Sequence, residues 1–142
     1  MPLADGPHLD LLLQAMAVEG RGQRALLAGE DGAAADALRE ASRLYRESWE
    51  LASPTAFGRL IGMLKAAVIA GDASEAAAYA RAQLPDAVES APSSYALAIV
   101  ALIEGDDDTA RAASAGMRNA SPPFARAADA IEALADLDAD RY

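Results

Sequence analysis

No cysteine occurs in the 142-residue chain, which excludes disulfides, thiolate metal sites and cysteine nucleophiles together. Histidine occurs once, as His8. It lies near the N-terminus without the further histidine or cysteine ligands that a zinc site needs, so a solvated side chain is expected there. Lysine is equally scarce: Lys65 stands alone and every other basic residue is arginine. Aromatic residues make up only 5% of the chain, which leaves few of the side chains that favour strands. The longest apolar run, Tyr95 to Ile103, is far shorter than the roughly 20 residues of a membrane-spanning helix. Asp5 and Asp10 stand where a secretory signal would carry basic residues. A soluble, cytoplasmic protein with no membrane association is expected.

Catalytic patterns are missing as well. Serines are frequent, but none has a histidine base at helical spacing or sits in a strand-turn-helix nucleophile elbow. Glu47 and Glu50 are close enough for acid–base work, yet both lie on a helix face beside arginines and read as a solvated face. The glycines at 20, 22, 29 and 32 follow no strand, so no phosphate-cradling loop is implied. Glu104 with Asp106, Asp107 and Asp108 offers oxygen ligands, but without the alternation of a calcium loop. Acidic residues at that position are expected to cap a helix. No catalytic residue, cofactor or metal is expected, and the chain reads as a non-enzyme.

What the chain has in abundance is alanine, about a quarter of its residues. Alanine is the strongest helix former, and its small side chain lets helix axes approach closely while burying little area each. One all-α domain over residues 1–142 is expected, held by many modest contacts. Glycine followed by an acidic residue marks its joints at Gly29-Glu30, Gly71-Asp72 and Gly105-Asp106. Glycine suits the left-handed residue that stops a helix, and the acid suits the next N-cap. Asp72 and Glu75 have capping-box spacing. Ser53-Pro54, Ser121-Pro122 and Pro92-Ser93 mark further helix starts. Helices are predicted near residues 8–28, 33–52, 55–70, 73–89, 93–104, 107–119 and 122–138. Gly20 and Gly22 threaten the first, and Pro85 is expected to kink or end the fourth. In the second helix Leu38, Ala41, Tyr45 and Trp49 form the predicted core face, with Arg39, Arg43, Glu47 and Glu50 opposite.

The joints lie 42 and then 34 residues apart, and 34 residues is the tetratricopeptide period. GDASEA at 71–76 and GDDDTA at 105–110 resemble the turn of a tetratricopeptide unit, with GEDGAA at 29–34 a looser copy. Ala34, Ala76 and Ala110 fall on that family's small position early in the second helix. Leu97-Ala98 matches its leucine-small pair, Pro122 its closing proline, and Gly22 its small position in the first helix. Met63-Leu64, Arg21, Ala25, Ala67 and Ala101 depart from the pattern. The resemblance implies a right-handed stack of about three antiparallel helical hairpins, an α-α superhelix, plus a C-terminal capping helix. Asp129, Glu132, Asp136 and Asp138 make that last helix polar on one side, as a cap requires; a truncated chain is the alternative.

The same resemblance implies a concave groove lined by the first helix of each pair, at Glu19, Gln23, Ile61, Lys65, Tyr95, Ile99, Arg126 and Asp129. Its expected occupant is a protein or peptide, with a homodimer as a further possibility. The formal charge of -10 favours a basic partner and disfavours nucleic acid and anionic membranes. Two other functions fit the composition: a small acidic immunity-like or antitoxin-like inhibitor steered onto a basic enzyme, and a helical ligand-binding domain or enzyme with an apolar cavity near Tyr95 or Lys65.

Overall fold

A computed structural model describes residues 6–52, 56–84 and 90–139, and among them the secondary structure is helical throughout. The helices are α1 (Pro7–Leu27), α2 (Asp31–Leu51), α3 (Gly58–Ala70), α4 (Ala73–Gln83), α5 (Ala91–Glu104), α6 (Asp107–Ala115) and α7 (Pro122–Ala139). Packing divides the chain into two compact units, residues 1–76 and 77–142. The predicted starts at Ser53-Pro54 and the predicted break at Pro85 lie outside the described residues.

The three glycine joints have the expected chemistry. Gly29, Gly71 and Gly105 have φ of 78°, 89° and 78°, and no other described residue has a positive φ. In each joint the amide of the residue after the glycine reaches back, as Asp72 N–H does to the carbonyl of Ala67 at 2.9 Å, and so satisfies an orphan acceptor. The acidic residues that follow divide into distinct roles. Asp106 caps α6, accepting from the Thr109 amide at 3.2 Å and the Thr109 hydroxyl at 2.6 Å. That hydroxyl, and then that amide, hold the Asp106 carboxyl below its ordinary value. Glu30 occupies the cap position of α2 but makes no side-chain capping bond. The Asp72 carboxylate accepts from Arg39 Nε at 2.8 Å, while Arg39 Nη2 donates to the carbonyl of Ala70 at 3.1 Å. One guanidinium thus ties α2 to the end of α3, where helix carbonyls favour a cation. α5 starts earlier than predicted because Ser90 and Ser93 cap it reciprocally, with Pro92 in the first turn.

In unit 1, α1 packs on α2 and α2 on α3. The α2 face Leu38, Ala41, Tyr45 and Trp49 is buried as expected, together with Leu60, Met63 and Leu64 of α3. α1 runs unbroken through Gly20 and Gly22, contrary to the expected break. A Cβ on Gly22 would lie 2.8 Å from Leu38 Cγ, so this glycine lets α1 and α2 approach, and that packing outweighs its helix penalty of about 1 kcal/mol. Gly62 plays the same part between α3 and α2, where a Cβ would meet the Tyr45 ring at 2.8 Å.

Unit 2 contains α5, α6 and α7, each in contact with the other two. Its core is Ala98, Ala101, Ala110, Ala113, Met117, Ala128 and Ile131. α6 stops at Ala115, short of the predicted 119, and the following turn inserts Met117, fully buried, among the alanines. α7 carries Asp129 and Asp136 on an exposed side. Its acids Asp129, Glu132 and Asp136 meet arginines of α6 and of the turn after it: Arg118 bonds Asp129 at 2.8 Å and also Glu132, and Arg111 bonds Asp136 at 3.1 Å. The side exposed to solvent includes Leu134 and Leu137. The acids pair with arginines of their own unit while Asp129 and Asp136 stay about 70% exposed. The side chain of Asp138 lies outside the described residues.

Candidate partner-binding cleft

Within unit 1 an open cleft of about 370 Å³ lies where α1 and α3 flank Tyr45 of α2. α1 contributes Leu12, Met16 and Glu19, and α3 contributes Arg59, Ile61 and Lys65 along with Gly58 and Gly62. Helical spacing explains this convergence: residues three and four apart share a face, so Leu12, Met16 and Glu19 form one wall and Ile61 with Lys65 the other. The floor is set by Tyr45, whose hydroxyl donates to Glu19 Oε1 at 2.7 Å. Burial first, and then that bond to a carboxylate, push the Tyr45 hydroxyl well above the ordinary tyrosine value. It stays a neutral donor, and its bond fixes one oxygen of Glu19 against the cleft floor. Apolar side chains thus stand beside charges of both signs, so the lining offers apolar and polar contacts together.

A polar knot closes the deep end of the cleft. Arg59 Nε donates to Ser48 Oγ at 2.8 Å, and Arg59 Nη2 lies 3.0 Å from His8 Nδ1. Ser48 Oγ donates in turn to the carbonyl of His8 at 2.5 Å. His8 is 7% exposed, so the expected solvated histidine is a buried one. It sits in the first turn of α1, against α2 and α3, and Arg59 satisfies the ring nitrogen that burial would otherwise orphan. The serine hydroxyl is directed to a backbone carbonyl and the imidazole to a guanidinium, so the group joins three helices without presenting an activated nucleophile.

The eight residues predicted to line a groove are distributed unevenly. Glu19, Ile61 and Lys65 share the cleft, while Gln23, one turn further along α1, is exposed outside its lining. In unit 2, Tyr95 packs edge-on against Phe124 with centroids 6.2 Å apart, Ile99 is half-buried and Arg126 is exposed. Asp129 is engaged by Arg118. None of these four lines the depression of about 580 Å³ in unit 2, whose walls are small or hydroxylic, among them Ser90, Ser94, Thr109 and Asn119. Sequence reasoning missed Leu12, Met16 and Arg59, which carry the apolar wall and the deep end. The available signal was the dense leucine run of α1, which exceeds what one buried helix face requires.

Among the described residues no helix is long and apolar enough to cross a membrane, and no group of three or more potential ligands could hold a metal ion. No protein-family model, curated protein or solved structure matches the chain.

Proposed function

We propose that this chain is a non-enzymatic protein-interaction module whose unit 1 cleft receives an amphipathic segment of a partner protein. The observation that carries the reading is the cleft itself: apolar Leu12, Met16 and Ile61 beside Glu19 and Lys65, open to solvent on a three-helix frame. Tyr45, Gly62 and the Arg59 knot tie α1, α2 and α3 together. A cleft fixed in advance lowers the ordering cost of binding. The joint pattern, the buried small residues Ala34, Ala76 and Ala110 and the seven helices among the described residues support the finer reading as a degenerate tetratricopeptide-like stack. In that reading Glu19, Ile61 and Lys65 belong to the groove-forming first helices. The net charge of -10 favours a partner that is basic outside the bound segment.

A displayed library of random peptides, panned separately on wild type and on an Ile61→Asp, Lys65→Glu double variant, tests this. Wild type enriches sequences with an apolar pair at helical spacing flanked by charge, and the variant loses them. Equal enrichment of the same sequences on both proteins eliminates the cleft as the binding site.

A further inference from the structure

The walls of the depression in unit 2 come from the start of α5 and from α6 with the turn that follows it. Among the lining residues is Ser94, only 3% exposed, whose hydroxyl bonds to no described residue. The other buried serines of the unit are engaged. Ser93 bonds Ser90 across the cap of α5, and Ser114 bonds Glu132 and the carbonyl of Arg111. A buried hydroxyl without a partner is uncommon, because folding strips its water and normally replaces that bond.

Gly116 keeps this hydroxyl uncovered. A Cβ there would lie 3.2 Å from Ser94 Oγ but 3.9 Å from Ser94 Cβ, so the oxygen is the part of the side chain turned toward the glycine, and both residues line the depression. The backbone at Gly116 has φ −68° and ψ −14°, a right-handed conformation that demands no glycine. What the glycine supplies is space, since alanine would close over the oxygen. That space exceeds the needs of a single water: the depression holds about 580 Å³, against about 30 Å³ for one water, and falls within the range of about 300–1,000 Å³ typical of small-molecule sites.

We infer that this depression binds a small uncharged aliphatic molecule bearing hydroxyl or amide groups, one of which bonds to Ser94. The lining selects that class. Among the described residues no charged side chain lines it, so a carboxylate, phosphate or amine would give up water without gaining a counter-charge. The formal charge of -10 opposes anions further. No aromatic ring of a described residue lines it either, so a flat aromatic ligand finds no stacking face. What the walls offer is hydrogen bonding in both directions. Ser94 and the Asn119 carboxamide can donate and accept, while Thr109, whose own proton goes to Asp106 at 2.6 Å, is left to accept. Leu97 and Ala113 add aliphatic surface.

Titration of the isotope-labelled whole chain, followed through its amide NMR signals, tests this with erythritol, glucose and N-methylacetamide as uncharged probes. Gluconate and glucosamine serve as charged counterparts of glucose. At least one uncharged probe is expected to shift the amides of Ala91, Ser94 and Gly116, and the charged counterparts to shift them less at equal concentration. Ser94→Ala, which removes the hydroxyl, and Gly116→Ala, which covers it, should each weaken binding about tenfold. Without a probe, Ser94→Ala keeps the helical circular dichroism and the melting temperature, because the hydroxyl it removes holds nothing in the fold. Absence of a shift with every uncharged probe overturns the proposal, as does binding that both variants leave unchanged. Equal binding of gluconate or glucosamine overturns the uncharged class, and a clear fall in the melting temperature of Ser94→Ala overturns the role of Ser94 by making it structural. None of these residues lines the unit 1 cleft, so failure here leaves the cleft reading standing, and failure of the cleft leaves this one.

Discussion

The two units solve the same problem with different materials. Unit 1 buries large side chains, Leu38, Tyr45, Trp49, Leu60, Met63 and Leu64, and most of its ion pairs run along a single helix: Arg43 with Glu40 and Glu47, Arg46 with Glu50 and Arg39 with Asp36. Unit 2 is built chiefly on alanines around Met117 and Ile131, and most of its ion pairs span elements: Arg81 to Glu104, Arg111 to Asp136, and Arg118 to Asp129 and Glu132, against Arg111 with Asp108 along α6. Apolar area sets how much each contact contributes. Where each contact buries much, charges are left to support single helices, and where each buries little they are drawn across the joints.

The comparison breaks most visibly through the large aromatic. Trp49, 4% exposed and 5.4 Å from the ring of Phe57, fills volume that no alanine of unit 2 fills. Trp49→Ala is expected to cost about 3–5 kcal/mol, read as a fall in the urea midpoint. An effect below 1 kcal/mol would mean that unit 1 does not depend on bulk.

Gly62→Ala comes next. Overpacking against the Tyr45 ring costs about 1–3 kcal/mol, while alanine returns about 1 kcal/mol of helix propensity, so a modest net loss is expected. Tyr45→Leu in the same background should recover part of it, a coupling that equilibrium unfolding of the double-mutant cycle measures.

Tyr45 also sharpens the comparison through pH. Its hydroxyl is raised in the folded state above the unfolded value of 10.0, so its contribution is complete below that pH. It is lost as pH rises further, because the unfolded chain then sheds a proton that the folded chain keeps. Stability measured by denaturant should fall with pH on the alkaline side of 10.0, and Tyr45→Phe should fall less steeply.

The smallest effect separates the ion pairs. Arg118→Gln, which unties α7 from the turn after α6, should lower the melting temperature more than Arg43→Gln, whose partners lie on its own helix. Both differences should shrink in high salt, because all these groups are exposed. Equal shifts would show that linking separate elements adds nothing.

Much of the helical layout was legible. Gly29, Gly71 and Gly105 announced their joints because a left-handed residue is demanded there and glycine meets it without strain. Tyr45 and Trp49 read as core because they repeat with the period of the buried α2 face. The cleft was legible in part. Glu19, Ile61 and Lys65 could be named from the resemblance, but Leu12, Met16 and Arg59 join them only because α1 and α3 both pack on α2 and so flank Tyr45. His8 misled because nearness to a terminus says nothing about what packs over it. Gly20 and Gly22 misled because a glycine's effect on a helix depends on what approaches it.

By itself the sequence determined the three glycine joints between helices, because capping, glycine φ and apolar period are local properties of neighbouring residues. It also determined the acidic charge and the scarcity of metal-binding and nucleophilic side chains. Only the tertiary structure decided which faces the helices spend on each other. It set the exposed acids of α7 against Arg111 and Arg118, buried His8 beside Arg59, and left Leu13, Met16 and Leu27 of α1 exposed. Those outcomes depend on distances between residues far apart in the chain, and no local pattern encodes them.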